Sequence, residues 1–218
     1  MPKPKSKHEA ETAVSEETRR RILDGAARAF GKLGYAATRV EDILAAAEIS
    51  RPTFYKAFAS KGDVFDELSA RHHRDIRERI MRSLNGALDP FEQLERVVDT
   101  YVRWRAELGR IGRVLDQEAR LPGTRLARHR RETLDAMSAW SAERLRGAGR
   151  GEADPLLYQA LIAAMESVGD ALLSRSPVPR GTIDRAKRLA LRIVAGTLAG
   201  PGDELPPIPP PPKDSPPR

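Results

Sequence analysis

VEDILAAAEISRPTFYKAFASKGDVFDEL, residues 40–68, is the stretch on which the reading of this chain turns. Val40, Ile43, Leu44 and Ala47 recur at helical spacing, which predicts a short helix from about Val40 to Ala47. Thr38 is its expected N-cap, because a Thr hydroxyl can accept from an orphan amide of the first turn. A second short helix is expected from about Arg51 to Phe58. Ser50 is a good cap for it, and Pro52 falls in the first turn, where a missing N–H costs nothing. Only Glu48, Ile49 and Ser50 lie between the two, the spacing of a helix-turn-helix. The second helix of such a pair enters the major groove with its N-terminal residues toward the bases. Here it would present Arg51, Pro52, Thr53, Tyr55 and Lys56, and bury Phe54, Ala57 and Phe58. Arg and Lys can neutralise phosphates or bind guanine edges, and Thr53 and Tyr55 can donate to phosphate oxygens.

Before this pair, Ile22, Leu23, Ala26, Ala27, Phe30 and Leu33 share one helical face, with start signals at Ser15, Glu17 and Thr18 and a stop at Gly34. Arg19, Arg20 and Arg21 admit a solvated face as readily as a DNA-facing one. After it, a long helix begins near Lys61 with Val64, Phe65, Leu68, Ile76, Ile80 and Leu84 as its buried side, and ends at Asn85-Gly86. Further helices are expected over about 90–107, 110–119, 124–147, 155–175 and 182–199, with no alternating strand pattern and no fixed repeat. The expected fold is all-α: an N-terminal three-helix helix-turn-helix domain followed by a C-terminal helical bundle, about nine helices in all. The expected divisions are a disordered arm over 1–15, a DNA-binding domain over 16–60, a ligand-sensing and dimerisation domain over 61–200, and a disordered proline-rich tail over 201–218.

Residues 40–68, together with RILDGAARAFGKLGYAATRV at 21–40, closely resemble the DNA-binding signature of TetR-type transcriptional regulators. The features coincide in order: Gly34-Tyr35, Thr38, the small-residue helix, Ser50, Thr53-Phe54-Tyr55, Phe58 and Ser60-Lys61. The resemblance implies that Thr38 and Arg39 lie near the phosphate backbone at the start of the second helix. It gives recognition to Ser50, Arg51, Thr53, Tyr55 and Lys56, and sets Lys61 against a phosphate at a helix N-terminus. Two positions depart from the pattern. Glu48 stands where many relatives have Gly, and would carry strain of about 1 kcal/mol if that turn needs positive φ. Lys56 stands where relatives often have His.

The full chain has 218 residues, a formal charge of +7 and no cysteine. The excess of Lys and Arg favours a polyanion partner, nucleic acid or an anionic membrane surface. The absence of cysteine excludes disulfides, zinc fingers and thiol catalysis. No apolar run approaches the ~20 residues of a membrane span, and no membrane partner is expected. The lack of cysteine fits a reducing location, and the expected one is cytoplasmic. His8, His72, His73 and His129 form no ligand pair, so neither a metal nor a cofactor is expected. Gly147, Gly149 and Gly151 follow no strand and read as a helix connection. Arg125 to Arg131 reads as a solvated basic face, and Lys3, Lys5 and Lys7 read as an inert tail before a minor-groove arm. No nucleophile–base pair suggests an enzyme.

In the C-terminal part, the resemblance implies a ligand cavity and a homodimer formed through about 155–175 and 182–199. The broad apolar surfaces there, from Leu156 to Leu172 and from Ile183 to Leu198, fit a dimer or simply a monomer core. Tyr101, Trp104, Arg105, Glu118, Met137, Trp140 and Glu166 are the candidate ligand contacts for an unidentified small-molecule effector. A buried carboxylate at Glu166 or Asp170 would require a cation, a donor or an Arg partner. The function implied is a ligand-responsive regulator, a repressor that binds a pseudo-palindromic operator in double-stranded DNA as a homodimer and is released by a small molecule. The rival is a basic helical interaction module with no sequence preference, which a salt titration against duplex DNA separates from it.

Overall fold

A computed structural model describes residues 14–86, 90–147, 154–173, 178–179, 181–199, 202 and 204–210. The expected N-terminal arm, with Lys3, Lys5 and Lys7, lies outside these residues except for Val14 and Ser15, and residues 204–210 of the proline-rich tail carry no regular structure. Among the described residues the chain is all-helical: α1 Glu16–Leu33, α2 Val40–Ala47, α3 Arg51–Ala57, α4 Lys61–Ser83, α5 Pro90–Leu108, α6 Arg110–Ala119, α7 Arg125–Gly147, α8 Pro155–Leu173 and α9 Thr182–Leu198. No described helix is long and apolar enough to cross a membrane.

The helices form two compact units, Met1–Arg74 and Asp75–Arg218. In the first, the Ser15 hydroxyl accepts from the Thr18 amide at 3.2 Å and starts α1. Gly34, at φ +80°, ends it with its N–H on the Phe30 carbonyl. Ile22, Leu23, Ala26, Ala29 and Phe30 are buried, while Leu33, expected on the same face, is 42% exposed because the buried stripe runs out one turn earlier. Gly25 lets α2 lie directly on α1: a Cβ there would stand 2.6 Å from the Ala47 Cβ and 2.7 Å from its Cα. Val64, Phe65 and Leu68 from the first half of α4 complete this core. The Phe65 ring lies 5.0 Å from Phe30 and 4.7 Å from Tyr35. The division therefore falls after Arg74, where a boundary at Lys61 was expected. The start of a helix is visible in sequence, whereas how many of its turns pack into the preceding core is not.

The second unit is centred on Val98 and Val102 of α5, Met165 of α8, and Ala186, Ala190 and Val194 of α9. Small residues on α9 let it approach α5 and α8 closely. Much of the apolar breadth of α8 and α9 is thus used within the unit, although Leu156 remains 67% exposed and Leu157 37%.

Candidate nucleic-acid interface

The seven-residue helix α3 has two chemically distinct sides. Phe54 and Phe58 are 0% and 4% exposed and anchor the helix in the core. Ser50, Arg51, Tyr55 and Lys56 are exposed, and Thr53 is half-buried between the two sides. The Ser50 hydroxyl accepts from the Thr53 amide at 3.3 Å and shares a hydrogen bond with its hydroxyl at 2.8 Å, so both are held at the first turn. Phe54 meets the Tyr55 ring edge-on at 5.3 Å, bracing an aromatic side chain that stays 48% exposed. Two cations, a phenol and two hydroxyls thus stand on one solvent-facing side, a set that suits phosphate oxygens and base edges.

What holds α3 there comes largely from α1. Arg19 donates to Glu67 at 2.8 Å through Nε and to the Ala57 carbonyl at 3.0 Å through Nη1, with its guanidinium 4.3 Å over the Phe58 ring. Arg21 donates to the Ala47 and Glu48 carbonyls at 3.1 and 2.9 Å, and Arg28 to the Ala46 carbonyl at 2.5 Å. These last two place positive charge on the carbonyl end of α2, where the helix dipole favours it. Arg19 and Arg21 are therefore structural, and of the three only Arg20, paired with Glu17 in the open, fits a solvated face. The carbonyl cap also steadies Glu48, whose φ of 53° makes it the one non-glycine at positive φ among the described residues.

Three expectations change. Arg39, not Thr38, is the N-cap of α2, and its backbone N–H donates to the Asp42 carboxylate at 2.8 Å. Thr38 is 1% exposed and donates to the Gly34 carbonyl at 2.6 Å, so its hydroxyl closes the α1–α2 loop from inside and does not reach outward. The Lys61 ammonium donates to the Tyr35, Ala36 and Thr38 carbonyls at 2.9, 3.2 and 2.8 Å and lies 4.7 Å from the Tyr35 ring centroid. Its charge serves that same loop. Arg39 remains exposed beside the loop. Glu41, which the sequence reading passed over, forms an ion pair with Arg51 across the turn. An acidic residue in the first turn of a helix is ordinarily explained by the dipole alone, so nothing local marks it out.

The candidate ligand residues lie in the second unit. Arg105 is 1% exposed and donates to Asp170 at 2.5 Å, to Asp116 at 3.1 Å and to the Gly109 carbonyl at 3.4 Å. Glu166 accepts from Arg130 at 2.5 Å and Arg120 at 3.0 Å. The partners that buried carboxylates at 166 and 170 require are thus arginines of the chain itself. Burial pushes the Asp116 carboxyl up to about 6 against the opposing pull of Arg105. Burial likewise raises the Tyr101 phenol, and the nearby Arg105 charge only partly offsets it. Trp104 is 9% exposed, with its indole N–H on Asp75 at 3.1 Å and its ring 6.0 Å from Tyr101. Tyr101, Trp104, Arg105 and Glu166 are therefore associated with one buried ionic region. Glu118 is half-buried, and Met137 and Trp140 stand at the surface, 39% and 37% exposed.

Residues 22–68 match the family model for bacterial regulatory proteins of the TetR family. The HTH-type transcriptional regulator YdgC of Bacillus subtilis (strain 168) is 32% identical over 128 residues, 55% of this chain and 65% of that protein. The chain thus spans less than two thirds of the curated relatives it matches. The fatty acid degradation regulator FadR from Bacillus halodurans shares the fold with a TM-score of 0.69 at 22% identity, over 81% of this chain and 98% of that one. A protein of Saccharomonospora viridis, described as a transcriptional regulator and solved in complex with choline, superposes with a TM-score of 0.65 at 25% identity, over 80% of this chain and 93% of that one.

Proposed function

We propose that the chain, whose residues 22–68 match the model for TetR-family bacterial regulatory proteins, acts as a ligand-responsive repressor that reads a pseudo-palindromic operator as a homodimer. The observation that carries this reading is the two-sided α3: Phe54 and Phe58 fix the helix from within while Ser50, Arg51, Tyr55 and Lys56 face outward. Thr53 and exposed Arg39 extend the contact surface, and the backbone at Thr38 and Lys61 borders it. A single short helix offers few base contacts. Two copies joined at a fixed distance, about 34–36 Å for successive turns of one groove face, multiply the affinity. Exposed Leu156 and Leu157 on α8 supply apolar surface for that pairing, with α9 beside it.

The effector is a small molecule seated in the second unit near Tyr101, Trp104, Arg105 and Glu166, with Glu118, Met137 and Trp140 toward its edge. The choline complex of the S. viridis protein supports an organic effector for a fold of this kind. Binding favours the conformers whose two reading helices no longer match the operator, and a coupling of about 1–3 kcal/mol suffices for a useful switch.

The test begins with duplexes selected from a random-sequence pool by the full-length protein. Tyr55→Ala and Lys56→Ala should each weaken binding to the selected duplex by about tenfold or more, with the melting temperature unchanged for exposed Lys56 and only slightly lowered for Tyr55, whose ring also touches Phe54. Wild-type affinity in both variants, or a protein that selects no sequence at all, rejects the assignment.

A further inference from the structure

The basic reading face contains an acid in the first turn of α2, where the helix dipole favours it, but whose reach across to α3 the dipole does not explain. Glu41 and Arg51 are 57% and 54% exposed, yet their side chains are paired across the turn between α2 and α3. So exposed a pair contributes little to stability. The cap of α2 is already supplied by Asp42, which accepts from the Arg39 amide at 2.8 Å. Glu41 therefore lies where negative charge opposes the approach of a phosphate backbone, against the one Arg at the first position of the reading helix. Its carboxyl is held below the ordinary value first by its own backbone N–H and then, against the opposing effect of burial, by Arg51 and Arg39.

We propose that Glu41 is a specificity-determining residue: it holds the Arg51 guanidinium in an intramolecular pair that random-sequence DNA does not displace and that a matched base edge does. The inference rests on the DNA-reading role of α3. Its physical basis is the difference between the two kinds of contact. A phosphate attracts Arg51 with one charge, and Glu41 already supplies one at shorter range, so a nonspecific encounter gains little from exchanging them. A phosphate fits the guanidinium fork as a carboxylate does, so that exchange is nearly even. A guanine edge meets the fork only when α3 is seated in register in a matched groove, where the other contacts of the site offset the loss of the pair. Glu41 thus lowers nonspecific affinity more than specific affinity and widens the ratio between them, the quantity that matters against a large excess of competing sites.

The experiment uses the full-length wild type, Glu41→Gln, Arg51→Ala and the double variant. Each is titrated against the pool-selected duplex and against a scrambled duplex of equal length over a range of salt. Glu41→Gln should bind the scrambled duplex roughly three- to tenfold more tightly, with a salt slope steeper by about 0.9, one more phosphate contact. Affinity for the selected duplex should change less, so that discrimination falls. In the Arg51→Ala background the Gln substitution should have no further effect on the scrambled duplex. Melting curves superimposable with wild type are expected for Glu41→Gln. An effect of equal size with and without Arg51 overturns the proposal in favour of plain repulsion of DNA by Glu41. No change in scrambled-duplex affinity or slope overturns it outright, as does an equal gain on both duplexes. If wild type prefers neither duplex, the DNA-reading role itself fails. A wild type that discriminates beside an unaltered Glu41→Gln rejects only the role of Glu41.

Discussion

Lys61 has three N–H donors and three carbonyl acceptors within 3.2 Å, at Tyr35, Ala36 and Thr38. A cation at a helix start beside DNA would ordinarily be assigned to a phosphate, but donors already satisfied inside the loop have little left to offer. The two roles separate cleanly in experiment. Lys61→Met keeps the aliphatic stem and removes the charge and all three donors, so the loop carbonyls lose charge-assisted bonds worth about 1–3 kcal/mol in total. Denaturant unfolding of the N-terminal unit should shift by that amount, while the salt slope of DNA binding stays at its wild-type value. Unchanged stability with a slope shallower by about 0.9 would return Lys61 to the phosphate backbone. Thr38 follows the same logic. A hydroxyl on a carbonyl at 2.6 Å in a 1% exposed residue ties the loop from inside, and no neighbouring residue in sequence announces that burial.

At the scale of elements, the geometry of the reading helix depends on how closely α1 and α2 meet. Gly25 and Ala47 form that contact, and a Cβ at 25 would come within 2.6–2.7 Å of Ala47 side-chain and backbone atoms that cannot swing aside. Alanine is the better helix former by about 1 kcal/mol, and on an isolated helix Gly25→Ala would stabilise. Here the two helices must separate, and overpacking of this kind costs about 1–3 kcal/mol beyond any propensity gain. Gly25→Ala should therefore lower the denaturant midpoint of the N-terminal unit and weaken operator binding together, because α3 is joined to α2 by the short turn at Glu48. A variant as stable as wild type would show that the contact has slack. The amphipathic stripes of α1 and α2, and the Ser50 cap of α3, were legible in the sequence because spacing and capping are local. The close contact at Gly25, the carbonyl caps from Arg21 and Arg28, and the Glu41–Arg51 pair were not, because each joins residues on different helices. Glu48 lies between these cases. Its strain was legible as a condition on φ, and the φ of 53° meets that condition.

At the scale of the whole molecule, the two units have different kinds of interior: an aromatic core around Phe30, Tyr35 and Phe65 in the first, and an interior with a charged region around Arg105 in the second. Sequence periodicity could place Arg105, Glu166 and Asp170 on helical faces but could not choose their partners, so the buried ionic region was legible as a need for pairing without its solution. Gly112 and Gly169 leave space that the Arg105 side chain fills, and a Cβ at either position would strike it. The consequence is measurable through pH. Burial raises Asp116 to about 6 in the folded protein, whereas a carboxylate of the unfolded chain titrates near about 3.9. Between those values the folded state holds the extra proton, so this group adds stability as pH falls from 7.5 to 5 and withdraws it as pH rises through 6. Other carboxylates titrate over part of that range, and comparison with Asp116→Asn cancels them, since the amide oxygen can still accept from Arg105 without titrating. Both tryptophans of the chain, Trp104 and Trp140, lie in the second unit, so their fluorescence follows its unfolding alone. Wild type should gain on the order of 1 kcal/mol relative to Asp116→Asn between pH 7.5 and 5. A difference that stays flat, or moves in favour of the Asn variant on acidification, would mean that Arg105 outweighs burial and that Asp116 is ionised throughout.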